Sequence, residues 1–525
     1  MTTGFWKWAE AEPGRTALIL PEGESMSYGA LLEVSNRIAW GLRELGLRRG
    51  DSVSVLLPNC VEFVALACAA LQAGLYLTPV NHHFTGDEIS YVISDARTAV
   101  FVAHGRFAEA AQSASRAAKL DSQRCFSIRA IDGFRPFSEI LSERSETVPD
   151  REAGMLSTYT SGTTGRPKGI RRGLTGADPD ARAGAYNMLS MFGIEPGGEH
   201  VHLTGSPLYH SAPFGFLMFS LHFGHAVVLH DKWDPERVLA DVERYRITHT
   251  QMVPTQFHRL LALPDDVKAQ YDLSSLRVVA HAGAPCPVDV KANMIKWLGP
   301  IVYEYYGASE GVGGTFVSPK EALEHPGTVG RLLDPAAEIK ILDDDGNEVA
   351  PGEVGTIYTT LVGGGGELEY FNDPAKSKEA RRGNLFTVWD MGYLDSDGYL
   401  FLVSRRTDLI LSGGVNIYPA EIEAVLTSHP DVADAAVFGI PNEEWGEEVK
   451  AVIQPVPGVA GDDSLTQRLR DFGASRLARL KIPRTFDYVE QLPRDPNGKL
   501  YKQRLRDPYW SNPDSNLNVS GAGSS

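Results

Sequence analysis

Through the first half of the chain, short apolar and β-branched runs at 53–57, 100–103, 226–229, 249–253 and 278–280 alternate with stretches of helical pattern, among them 61–71 and 235–245. Continuous apolar runs predict strands buried on both faces, and their alternation with helices predicts an α/β protein. After position 337 the texture changes. Alternating strands are expected at 338–342, 356–360 and 399–403, punctuated by Asp345-Gly346 and Pro351-Gly352 turns, which marks a β-rich subdomain. From 409 onward a compact α+β pattern follows, with a helix opened by Pro419, strands at 433–438 and 449–455, and a helix over 465–477. Residues 511–525 are rich in Ser, Asn and Gly and are expected to be disordered.

A chain of 525 residues exceeds what one hydrophobic core supports, so two or more domains are expected. The net charge of −17 argues against a nucleic-acid or anionic-membrane surface, so an anionic ligand needs a local basic site. The four cysteines form no C-x-x-C pair, and the N-terminus lacks a basic segment followed by an apolar one, which predicts a reduced cytoplasmic protein. The most apolar stretch, 61–80, contains Glu62, Gln72 and Gly74 and ends in Thr78-Pro79. It reads as a buried helix leading into a strand, not a membrane span.

The local basic site is found at 159–169, Tyr-Thr-Ser-Gly-Thr-Thr-Gly-Arg-Pro-Lys-Gly. Gly162, Gly165 and Gly169 let backbone approach a ligand, Thr160, Ser161, Thr163 and Thr164 offer hydroxyls, and Arg166 and Lys168 add positive charge. Pro167 keeps the segment out of a helix interior, so it is expected to be a loop that folds over phosphate. It is not a Walker A loop, because Lys168 is followed by Gly169 rather than Ser or Thr.

The run resembles the signature loop of the adenylate-forming superfamily, which includes acyl- and aryl-CoA synthetases, peptide-synthetase adenylation domains and firefly-type luciferases. Further matches occur in order from about Tyr28 to Arg504. The resemblance implies a large N-terminal domain of α/β subdomains with a β-rich subdomain (1–406), a small mobile α+β C-terminal domain (407–510) and a tail (511–525). It places the hinge at 404–408.

The same resemblance assigns roles. In Tyr305-Tyr306-Gly307-Ala308-Ser309-Glu310, Glu310 helps hold Mg²⁺, with Thr164 as a second ligand, and Tyr306 packs beside adenine; Ser309 stands where Thr is usual. The main chain of Gly283-Ala284-Pro285 contacts adenine. Asp390 accepts hydrogen bonds from the ribose hydroxyls, although Trp389 replaces the usual Gly before it, and Arg405 contacts ribose or phosphate. Lys499, in Pro496-Asn497-Gly498-Lys499-Leu500, reaches between carboxylate and α-phosphate. Gly413 and Gly414 line the pantetheine path after the small domain rotates, and His210 lies near the carboxylate and thiol path. Ser404 and Thr407 depart from the family pattern at the hinge. The five histidines from His202 to His230 lack metal-ligand spacing, so a zinc site is not expected.

The expected activity is therefore that of an ATP-dependent acid:CoA ligase, using ATP, Mg²⁺ and coenzyme A and forming acyl-adenylate before acyl-CoA. The alternative is an adenylating enzyme with another acceptor, an amine or a carrier thiol, or one that activates a small oxyanion such as nitrite. Tyr305 and Ala282 sit where they shorten a long acyl tunnel, which points to an aryl or medium-length acid. The expected partner is a small carboxylic acid, with a homodimer left open.

Overall fold

The computed structural model of the chain describes residues 3–160, 167–185, 187–334, 336–361, 368–494 and 500–511. Ser161, Gly162, Thr163, Thr164 and Gly165 of the phosphate run, Lys499, and 512–525 lie outside the described residues.

The expected strands form the cores of two mostly parallel sheets. Ser52–Leu56, fully buried along its length, lies between Tyr76–Pro79 and Thr98–His104 in a parallel six-stranded sheet. The apolar helix Val61–Gln72 packs into the same core, with Phe63, Leu66 and Cys68 all buried, which is why its sequence is apolar apart from Glu62 and Gln72 near its ends. The second sheet has nine strands. Its parallel part runs Thr16–Ile19, Ala226–Leu229, Val201–Thr204, His249–Met252, Val278–His281 and Val302–Gly307, with antiparallel strands at its edges. Helix Pro235–Tyr245 begins where expected because Pro235 suits the first helical position and the Asp234 carboxylate accepts from Arg237 N–H at 2.9 Å.

The β-rich subdomain is an antiparallel sheet containing Ile339–Leu342, Gly355–Thr360, Asp390–Leu394 and Leu400–Arg405. A three-stranded sheet joins Thr158–Thr160, Lys168–Arg172 and the distant Leu368–Tyr370. The chain then passes through the helical turn Arg406–Asp408 into the smaller C-terminal domain, a five-stranded sheet with helices Pro419–Thr427 and Asp463–Ala474. Its long hairpin, Val432–Asn442 with Gly446–Pro455, outruns the apolar segments that announced it, because backbone pairing continues into polar residues. Helix Lys502–Ser511 reaches the first residue of the stretch expected to be disordered. Among the described residues no helix is long and apolar enough to cross a membrane.

Candidate active site

The parallel strands of the nine-stranded sheet end on one side in two loops. After Val278–His281 the chain turns through Gly283, Ala284 and Pro285, with Gly283 at φ 88°, a left-handed conformation suited to glycine. After Val302–Gly307 it turns through Ser309 and Glu310. Ligands in such sheets bind beyond the strand carboxyl ends, so both loops are in the right place.

Asp390 and Arg405 face each other across neighbouring strands of the β-rich subdomain. The Tyr306 hydroxyl donates to Asp390 Oδ2 at 2.8 Å, and Arg405 Nε donates to Asp390 Oδ1 at 3.1 Å. Burial, reinforced by the Asp390 charge, pushes the Tyr306 phenol well above its ordinary pKa and keeps it a donor. Among the described residues each carboxylate oxygen of Asp390 has one side-chain partner, which leaves lone-pair capacity for another.

Glu310 is buried, and its Oε1 accepts from the Tyr370 hydroxyl at 3.2 Å, while its main-chain oxygen accepts from Arg172 Nη2 at 2.9 Å. Burial raises the Glu310 pKa. A buried carboxylate with no ion-pair partner among the described residues fits a divalent cation that takes one or two carboxylates plus phosphate oxygens. Ser309 Oγ lies 2.8 Å from Ser211 Oγ, at the start of helix Ser211–His222, whose N-cap residue is His210. The His210 ring is 4.4 Å from that of Tyr209, which is met edge-on by His82 at 4.9 Å.

The described ends of the phosphate run form a hairpin, with Thr160 opposite Lys168. Lys168 is half-buried; burial first, and Lys376 beside it second, lower its pKa to about 8. Trp389 adopts φ 63° and lays its indole over Tyr370, with ring centroids 6.5 Å apart. It therefore packs against the three-stranded sheet. Arg494 and Leu500 pair across the segment that carries Lys499, and Tyr501 accepts from Asn81 Nδ2 of the large domain at 3.3 Å. Gly413 and Gly414 stand apart. They form an exposed two-residue turn, at φ 57° and 78°, between Ile410–Ser412 and Val415–Ile417, and Gly413 N–H donates to Trp445 O.

Sequence reasoning missed Tyr370, Arg172, Ser211 and Lys376. Ser211 follows His210 directly and Arg172 lies four residues beyond Lys168, so proximity could have flagged them. Tyr370 and Lys376 reach the site through pairing between Lys168–Arg172 and Leu368–Tyr370, for which the sequence carries no local signal.

The AMP-binding enzyme model matches residues 5–363, and the AMP-binding enzyme C-terminal domain model matches residues 421–499. Indoleacetate–CoA ligase of Aromatoleum aromaticum is 33% identical over 507 residues, covering 95% of this chain and 96% of that protein. The amide bond synthetase McbA from Marinactinospora thermotolerans has a TM-score of 0.80 at 26% identity, over 96% of this chain and 99% of that one. The o-succinylbenzoate coenzyme A synthetase MenE from Bacillus subtilis, solved with ATP and magnesium ion, has a TM-score of 0.79 at 28% identity, over 95% and 98%. With both models matched in order and a relative similar along nearly its whole length, the chain belongs to the AMP-binding enzyme family, as a ligase.

Proposed function

We propose that this ligase activates an aromatic or medium-length carboxylic acid with MgATP, forming acyl-adenylate and pyrophosphate, and then passes the acyl group to the thiol of coenzyme A. The observation that carries the reading is Asp390, held by Tyr306 and Arg405 next to the buried Glu310. Asp390 keeps acceptor capacity for ribose hydroxyls, and Gly283, Ala284 and Pro285 offer main chain to the adenine. Glu310, with Thr164, holds Mg²⁺, which supplies charge neutralisation at the phosphates when bound. Thr160, Ser161, Gly162, Thr163, Thr164, Gly165 and Lys168 cradle the triphosphate, beside Tyr306, Gly307 and Ser309. His210 borders the path of the acid.

In this reading Lys499 bridges carboxylate and α-phosphate, stabilising charge that develops in the transition state. The contact of Tyr501 with Asn81 supports an arrangement in which the Lys499 segment faces the large domain, as the first half-reaction requires. The exposure of Gly413 and Gly414 supports a rotation of the domain 407–510 about residues 404–408 for the second. Burial pushes the pKa of all four free cysteines up, which favours direct attack by the substrate carboxylate over a covalent enzyme intermediate. The absence of disulfide pairing among these cysteines is in keeping with a cytoplasmic enzyme.

The acid class is supported by the names of two relatives, which act on indoleacetate and o-succinylbenzoate, both aromatic. It is also supported by the aromatic wall near Ser309, where Phe216 and Tyr305 stack with centroids 6.0 Å apart. Similarity to an amide bond synthetase favours a second reading, with an amine as acceptor. The test is pyrophosphate release across acids of graded length and aromaticity, followed by product mass with coenzyme A, with amines, and with neither. An aryl or medium-length acid converted to its CoA thioester is expected. Full-rate turnover to an amide without coenzyme A would replace the first reading with the second, and a preference for palmitate-length acids would overturn the acid class.

A further inference from the structure

A second lysine, from a distant part of the chain, stands against Lys168 at the base of the phosphate hairpin. Lys376 belongs to helix Pro374–Glu379, which follows the strand Leu368–Tyr370 paired with Lys168–Arg172. The Asp373 carboxylate caps this helix by accepting from Lys376 N–H at 3.0 Å, and Ala380 anchors its far end in the interior. The backbone of Lys376 is thus fixed. Its ammonium sits 4.6 Å from the centroid of the Trp389 ring and 5.8 Å from that of Tyr370, on the strand paired with Lys168–Arg172, and its charge acts on Lys168 to lower that group's pKa. The acidic groups that act on Lys168 are Asp373, already engaged in capping, and Glu379.

Two ammonium groups brought together in a half-buried place repel each other, and an anion between them reverses the sign of the interaction. The surroundings favour the anion. In sequence the hydroxyl- and glycine-rich run leads directly into Lys168, and Tyr370, beneath Lys376, leads to Glu310. Trp389 fits the same picture. At φ 63° a bulky residue occupies a left-handed conformation that favours glycine, and its indole provides the flat face on which Lys376 rests.

We infer that Lys376, seated on Trp389, is a second phosphate ligand of the nucleotide site and that, paired with Lys168, it binds the terminal diphosphate of ATP and the pyrophosphate that leaves. The inference rests on the proposed adenylation. In that step a carboxylate oxygen bonds to the α-phosphorus, the bond from that phosphorus to the bridging oxygen breaks, and the electron pair departs with pyrophosphate. The paired cations receive that charge.

The test is calorimetric titration of magnesium pyrophosphate, and separately of MgATP, into the full chain. Lys376→Met is expected to weaken pyrophosphate binding about tenfold, the loss of one charge-assisted contact, and Lys376→Arg to restore most of it. Trp389→Gly, which keeps the lysine and removes its seat, is expected to weaken binding about threefold. At pH 8 the wild type should take up protons on binding, because the anion draws Lys168 back to its charged form, and Lys376→Met should take up fewer. Unchanged pyrophosphate affinity in Lys376→Met, with MgATP still bound, would overturn the role of Lys376 alone. Loss of affinity accompanied by a lower melting temperature and no rescue by arginine would mark a structural role and overturn it too. A wild type that binds neither ligand would remove the nucleotide reading itself.

Discussion

The nine-stranded sheet carries a buried polar cluster at each end, and the two have opposite characters. At the amino ends of its parallel strands lie four histidines. His202 pairs directly with His249, their rings 4.9 Å apart, and His225 is 4.8 Å from His200 and 5.4 Å from His249. Burial holds these imidazoles neutral, lowering His202 to about 3 and His225 to about 4. Their hydrogen bonds serve the fold: the two His249 ring nitrogens pair with the Ser220 and Thr248 hydroxyls, one as donor and one as acceptor, and His225 Nε2–H donates to Glu195 O. At the carboxyl ends, Tyr306 and Arg405 hydrogen-bond Asp390 and Tyr370 hydrogen-bonds Glu310, so acidic and basic side chains gather there beside unspent acceptor capacity. Unusual residues in a buried place therefore do not mark a site. The proposed site is instead where acidic and basic side chains gather at the ligand-facing end of the sheet.

The sharpest way to break this contrast is at the charged end. Glu310→Gln keeps an acceptor for Tyr370 and removes the charge proposed to hold Mg²⁺, so adenylate formation should fall by about 10²–10³ with little change in melting temperature. Lys499→Ala should lose a similar factor in adenylation and leave thiolation of supplied acyl-adenylate largely intact. Pyrophosphate exchange reads the first half-reaction and thioester formation from synthetic adenylate the second. Equal loss of both in Lys499→Ala would remove the two-arrangement reading.

A smaller effect is expected at the glycine turn, which belongs to neither end of the sheet. A Cβ on Gly413 would lie 2.6 Å from the Trp445 ring, at a φ that β-branched residues avoid. Gly413→Val should slow the coenzyme A step about tenfold, the equivalent of roughly 1–2 kcal/mol of backbone strain, with adenylation unchanged.

The histidine end predicts acid sensitivity without catalytic effect. Folded pKa values near 3 and 4 lie below the unfolded value of about 6.5, so the unfolded chain binds more protons as pH falls. Stability is then complete above about pH 6.5 and declines below it, by up to about 2 kcal/mol per histidine at pH 5. His202→Gln should flatten that decline in thermal melts and leave kcat at pH 7.5 within about twofold of wild type. If His202→Gln folded normally and yet cut adenylation tenfold, the two ends would not differ as argued.

Much of this contrast was legible before the structure. The apolar runs at 226–229, 249–253 and 278–280 announced parallel strands because a strand buried on both faces writes itself as a local run. Tyr306, Glu310, Asp390 and Arg405 were legible through motif resemblance, and their hydrogen bonding was not, since it depends on a strand pairing between 390 and 405 and on a contact between sheets. The seat of Trp389 was equally hidden. A bulky residue in place of glycine could be noticed, but its partners, Tyr370 and Lys376, come from an element that joins the site only through long-range pairing.

The smallest expected effect tests how the two domains share the site. Tyr501 accepts a long hydrogen bond of 3.3 Å from Asn81, whose neighbour His82 leads through Tyr209 to His210, so this contact ties the start of helix Lys502–Ser511 to the large domain near His210. A second tie, Arg504 to Glu88 at 3.9 Å, is exposed enough that solvent screening leaves it little weight. Tyr501→Phe removes one neutral hydrogen bond, about 0.5–1 kcal/mol, which shifts the balance between domain arrangements by roughly two- to fivefold. Single-turnover adenylation should slow by that factor, and thiolation of supplied adenylate should hold steady or rise, because the arrangement disfavoured is the one the first step uses. A parallel fall in both steps would mean that Tyr501 supports the fold of the small domain rather than its docking.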